Sequence, residues 1–102
     1  MAYVDEYNLF ADTTNDLHKK AARAIDKAAR DVINEDAGTE HHAERYVWAC
    51  GVRQHPDNVI AEAHRWMPAV LDNSTVAAAG NAATDNDVQF VVNGLVDTMA
   101  GV

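Results

Sequence analysis

Cysteine is nearly absent: Cys50 stands alone among the 102 residues, so no disulfide forms within the chain. No apolar run approaches the ~20 residues that a membrane span needs. The opening decapeptide MAYVDEYNLF lacks the basic start and apolar run of a secretory signal. The chain is therefore expected inside a cell, or in an assembly made there, without membrane contact. Its five glycines are scattered, which excludes a phosphate-cradling loop. Basic residues stop at Arg65.

What is present in quantity is alanine, 19 residues against 22 Val, Ile, Leu and Met together. The length allows one domain at most. A core built on alanine brings helices close but removes little apolar area per residue, at about 25 cal/mol per Å². Burial by neighbouring copies is expected to supplement it.

The net charge of −8 is uneven. Residues 1–18 carry −4, residues 19–30 carry +4, and both later segments, 31–65 and 66–102, are acidic again. An acidic chain with one basic block does not read as a generic nucleic-acid binder. It suits contact between an acidic surface and a basic stripe on different copies.

Periodicity predicts an all-α fold, with four main helices and a short N-terminal helix or arm over residues 1–12; residues 13–102 form one helical domain. Tyr3, Val4, Tyr7 and Phe10 stand at helical spacing, and Asp12 or Thr13 is the expected cap of the next helix. Over residues 14–36, Leu17, Ala21, Ala24, Ile25, Ala28 and Val32 form an apolar stripe, and Lys20, Arg23, Lys27 and Arg30 a basic stripe roughly opposite. Gly38 is the expected stop. Thr39 is the expected cap of a helix running to about Gln54, with Val47, Cys50 and the ring of Tyr46 facing the core and Ala43 and Ala49 as close-contact points. Pro56 suits the first position of the following helix, whereas Pro68 should kink or break it. A short helical turn is expected over 73–80, closed by Gly80. Thr84 should cap a last helix with Val88, Val91, Val92, Leu95, Val96 and Met99 on one face, and Asp85 and Asp87 at its positive end. A strand over VQFVV is the rival reading.

The stretch TEHHAERYVWAC (39–50) gathers two histidines, two glutamates and the cysteine. At about 100° per residue, His41 and Cys50 fall on opposite helix faces, and His41 and His42 splay apart. Zinc needs three or four convergent ligands, and neither HExxH nor CxxC occurs. A solvated first turn, with Cys50 packed as a small hydrophobe, accounts for the stretch better than a metal or nucleophile site. No cofactor and no catalysis are expected. The basic stripe has three readings: a solvated helix face, a partner for an acidic surface, or a nucleic-acid contact without sequence preference.

Two stretches, HHAERYVWACGVRQHPDNV (41–59) and NAATDNDVQFVVNGLVDTMAG (81–101), resemble small helical virion proteins of tailed bacteriophages, of the head–tail connector or neck adaptor class. That resemblance implies a homo-oligomeric ring in the virion, joining the portal protein to tail or neck proteins. A capsid decoration or head-completion protein is the nearest alternative; a helical nucleic-acid-binding or regulatory module and a metal enzyme at His41, His42 and Glu44 lie further off. The residues expected at interfaces are Tyr3, Tyr7, Phe10, Lys20, Arg23, Lys27, Arg30, His41, His42, Trp48, Asp85 and Asp87.

Overall fold

The computed structural model describes residues 16–102. Among them are five α-helices and no strand: α1 (Asp16–Ile33), α2 (His42–Arg53), α3 (Pro56–Asp72), α4 (Ser74–Ala79) and, after a 3-10 turn at Gly80–Ala82, α5 (Asp85–Met99). The all-α expectation holds, and the short turn expected over 73–80 is α4. The expectations for Tyr3, Tyr7 and Phe10, and for a cap at Asp12 or Thr13, fall outside the described residues. No described helix is long and apolar enough to cross a membrane.

The fold is organised around α1, which packs against α5, α2 and α3. Its composition explains that position. Ala21, Ala22, Ala24, Ala28 and Ala29 are all buried, and small side chains let several helices approach one axis closely. Alanine is also the strongest helix former, so the central helix has both propensity and room. Leu17, Ile25 and Val32 complete the expected stripe. Burial extends well past it, to His18 and Asp26. The basic residues therefore border α5 along the remaining edge, rather than spanning a free face.

The helix ends at Ile33, short of Gly38, because the last turn unwinds early. Asn34 N–H donates to the Arg30 carbonyl at 3.1 Å, and Glu35 N–H to Val32 at 3.2 Å. Gly38 N–H donates to Asp36 Oδ1 in the loop beyond.

Thr39 is not the cap of α2. The cap position is His41, in the left-handed region at φ 63°, with no side-chain cap bond. Thr39 instead accepts the His42 N–H at its carbonyl, at 3.0 Å, closing a turn just before the helix. A side chain in that region costs about 1–2 kcal/mol, which glycine avoids. His41→Gly should therefore raise stability by about 0.5–1 kcal/mol after glycine's own entropy cost. Thermal unfolding followed by circular dichroism reads this as a higher Tm; an unchanged or lower Tm counts against stored strain at His41.

At the start of α3, His55 Nδ1 accepts from Asp57 N–H at 3.1 Å, and Pro56 takes the first turn as expected. The break expected at Pro68 does not occur: α3 runs on to Asp72. Pro68 and His64 both lie on the exposed side, where water can take the carbonyl that proline leaves without a donor. Gly80, at φ 56°, closes α4. Thr84 and Asp87 exchange bonds at the start of α5 in a reciprocal capping box, each at 3.1 Å. Val88, Val92 and Val96 enter the core from α5, so the VQFVV segment is helical.

Candidate functional site

The basic residues of α1 meet the start of α5 within one chain. Lys20 Nζ donates to the carbonyls of Asn81 at 2.9 Å and Ala83 at 2.7 Å. Arg23 donates to Asp85 Oδ1 at 3.1 Å. Lys27 bonds Asp31 on its own helix at 3.0 Å, and Arg30 lies 3.6 Å from the buried Asp26. With Asn86 and Gln89 these side chains line a cleft of about 250 Å³. The charge complementarity expected between copies is thus used in large part inside the subunit, and Asp87 is occupied by the capping box.

A second polar cluster joins α2 to the segment after α1 and to α5. Arg45 donates to Glu35 Oε1 at 3.1 Å, to Asp97 Oδ1 at 3.0 Å and to the Glu40 carbonyl at 2.6 Å. The hydrogen bond to Asp97 raises the Arg45 pKa, with Glu35 adding to it against the pull of burial. Glu35 Oε1 also lies 3.0 Å from His42 Nδ1. Glu35, just beyond the end of α1, is thereby held against α2. His42 turns inward to this cluster while His41 stays outside, its Nε2 3.3 Å from Glu40 and its Nδ1 3.8 Å from Glu44. Among the described residues, no group of three or more His, Cys, Asp or Glu side chains is arranged to hold a metal ion.

The two tryptophans form the third cluster. Trp48 and Trp66 stack with ring centroids 5.6 Å apart, and both indole N–H groups donate to Glu62 Oε2, at 3.0 and 2.7 Å. Arg65 adds a two-pronged contact, Nε to Oε1 and Nη2 to Oε2, each at 2.9 Å, and reaches the Met99 carbonyl at 2.8 Å. Burial pushes the Glu62 carboxyl up, but the bonds from Arg65, Trp48 and Trp66 and the Arg65 charge outweigh it, so its pKa lies below the ordinary value. Trp48, expected at an interface, is half-buried and held by this carboxylate.

His18 is buried, with its ring edge-on to His64 at 4.0 Å between centroids. Burial, and then the neighbouring imidazole, lower its pKa below 6.5. In this range the unfolded chain binds more protons than the folded one, so stability is full above pH 6.5 and falls as pH drops below it. Urea unfolding from pH 7 to pH 5 should show that decline, and His18→Gln should flatten it. An equal decline in the variant would place its origin elsewhere.

On α2 the expectation holds for Ala49, which is fully buried, and fails for Tyr46, Val47, Cys50 and Ala43, which face outward. The residues that enter the core are Ala49 and Val52, with Trp48 packed against them. Val47 is 75% exposed and Tyr46 42%, and Cys50 and Ala43 are exposed beside them. Tyr46, Val47 and Cys50 thus form an outward apolar stripe with Ala43, at spacings of three and four. α2 carries apolar side chains on two faces, and α1 and α3 cover the one that also carries Arg45 and Arg53. A second exposed aromatic, Phe90 at 72%, stands on α5 beside a groove against the end of α3.

Sequence reasoning missed Arg45, Glu62 and Asp26. For Glu62 a signal existed: Arg65 and Trp66 follow at three and four residues, on the same helix face. Arg45 offered none, since its partners Glu35 and Asp97 are brought to it only by tertiary packing.

Comparison with protein-family models, with curated proteins and with solved structures finds no match to this chain.

Proposed function

We propose that this chain is a non-catalytic subunit of a larger assembly that associates through the outer face of α2. The observation that carries this reading is the apolar stripe of Ala43, Tyr46, Val47 and Cys50, left in solvent on a domain whose own core is mainly alanine and valine. Contiguous apolar surface of this kind marks a protein contact more often than it marks a monomer's skin. A ring needs two different complementary patches, and the α2 stripe supplies one of them.

The resemblance of residues 41–59 and 81–101 to head–tail connector proteins extends this reading to a specific assembly: a neck ring of a tailed bacteriophage, between the portal and the tail. In that role the α2 stripe packs on an adjoining subunit, and the mechanism is geometric. Decoration of the capsid or completion of the head would use the same surface at another place in the virion. The nucleic-acid reading has weaker support, because Arg23, Lys27 and Lys20 are engaged by groups of the same chain.

Sedimentation of the purified protein across a range of concentrations tests association. The expected result is growth in mass with concentration, suppressed in Val47→Glu, which places a charge on the most exposed large apolar residue of the stripe. Protein that stays monomeric throughout, and binds neither portal nor tail components, excludes the proposal. The position of the copies in a virion reconstruction separates neck from capsid.

A further inference from the structure

We infer that the outer face of α2 seats on a second copy of this chain, against the face of α5 that carries Phe90 and the basic cleft beside it. This rests on the reading of α2 given above and names the surface that receives it.

The receiving surface is continuous. Asn86 and Gln89 line both the cleft between α1 and α5 and a shallow groove bordered by Phe90, Asn93 and Gly94. Asn86, Phe90, Asn93 and Gly94 are exposed and uncharged. An apolar ring thus stands in a neutral strip. On one flank lies the cleft, with Lys20, Arg23, Lys27 and Arg30 against Asp26 and Asp85. Val91 and Leu95 turn the other flank toward the end of α3 and Asp72.

The α2 face has a matching arrangement. Ala43 and Val47 are exposed, and so is Glu44 beside them, about 4.5 Å along the axis from Val47. The following turn, with Cys50, Gly51 and Gln54, is exposed and carries no charge. The acid therefore sits at one end of the apolar stripe.

Charge selects the partner and the direction. The chain has eight Lys and Arg residues, and four of them line the cleft. Arg45, Arg53 and Arg65 are held by carboxylates of their own chain, Glu35, Asp26 and Glu62. An α2 face set against another α2 face therefore offers Glu44 no Lys or Arg. Set against α5, it finds Lys27 and Arg30 at the cleft. Lys27 carries more donors than its bond to Asp31 uses, and both partners of that pair are largely in solvent, so Lys27 shares itself at little cost. The reverse orientation brings Glu44 toward Asp72, a like-charge contact. α2 and α5 each pack on α1 and keep these faces outward, so one copy presents both at once. The contact is head to tail.

Sedimentation of the full chain across concentrations tests this with Val47→Glu and Phe90→Glu, both at exposed positions. Circular dichroism confirms that each variant is folded. The wild type should grow in mass with concentration, and each variant alone should stay monomeric. An equimolar mixture of the two should form a dimer of one copy each and nothing larger, because it contains one intact α2 face and one intact Phe90 face. Lys27→Glu should weaken association about tenfold, and Glu44→Lys in the same chain should restore it.

If Phe90→Glu associates like the wild type while Val47→Glu does not, the inference is overturned and the α2 reading stands with another partner surface. A mixture that forms no mixed dimer, or association unmoved by Lys27→Glu, also overturns it. So does a wild type that is monomeric at every concentration; the α2 reading falls with it only when portal and tail components fail to bind as well.

Discussion

Trp66→Ala should cost about 3–5 kcal/mol of stability, most of what a domain of this size has to lose. Trp66 is fully buried and is the largest side chain in the core. The core it belongs to is built mostly of alanines and valines, which are too short to fill the space its ring vacates. The substitution also removes one of the donors that hold Glu62, leaving the carboxylate to Trp48 and Arg65. Trp66→Phe separates these effects: it keeps most of the ring and loses the N–H, so its cost should be nearer 1–2 kcal/mol. Urea unfolding followed by far-ultraviolet circular dichroism reads both. Trp66→Ala unfolding with the wild type's midpoint would refute the central place given to this ring. Glu62 adds a pH signature. Its folded pKa is held down, so its stabilisation is full above about pH 4.5 and is lost as pH falls through the lower folded value. Glu62→Gln should remove that acid-range decline and leave the His18 decline at higher pH.

Single-helix patterns carried most of the fold. The α1 and α5 stripes were legible because each belongs to a helix with a dominant apolar face: Leu17, Ala21 and Ile25 on one, Val88, Val92 and Val96 on the other, all buried. Local bonding made Thr84 and Pro56 legible as well, since capping depends on residues three or four apart. α2 failed for a physical reason. Its pattern has two apolar faces, and periodicity cannot rank them. Burial went to Ala49 and Val52, the face that also brings Arg45 to Glu35 and Arg53 to Asp26, so the buried face is the one whose polar side chains find partners in the fold. Those pairs join residues far apart in sequence, where spacing rules are silent. The same limit applies to the basic stripe: its periodicity was correct, but its partners at Asn81, Ala83 and Asp85 arrive through the fold. His41 was misjudged because the left-handed turn that starts α2 has neither glycine nor a capping side chain to announce it.

Asp26→Ala should cost about 3–5 kcal/mol, the range for breaking a buried ion pair from one side. The carboxylate is fully buried on α1, 3.5 Å from Arg53 Nη1 at the end of α2 and 3.6 Å from Arg30 Nε on its own helix. A carboxylate in that position is tolerated only because cations answer it, so Asp26 and Arg53 act as a unit tying α1 to α2. Replacing both with apolar residues, Asp26→Leu with Arg53→Met, should recover much of the loss, and a double-mutant cycle measures the coupling. Additive costs in that cycle would deny the pair its role. Asp26 also governs the cleft beside α5. It balances Arg30 and so reduces the positive charge that Lys20, Arg23, Lys27 and Arg30 present there. Asp26→Asn, which keeps the shape and removes the charge, should strengthen any binding of DNA to this face and steepen its dependence on salt. If the wild type already binds DNA tightly and the substitution changes nothing, the cleft's charge is not what holds nucleic acid, and the contact lies on another surface.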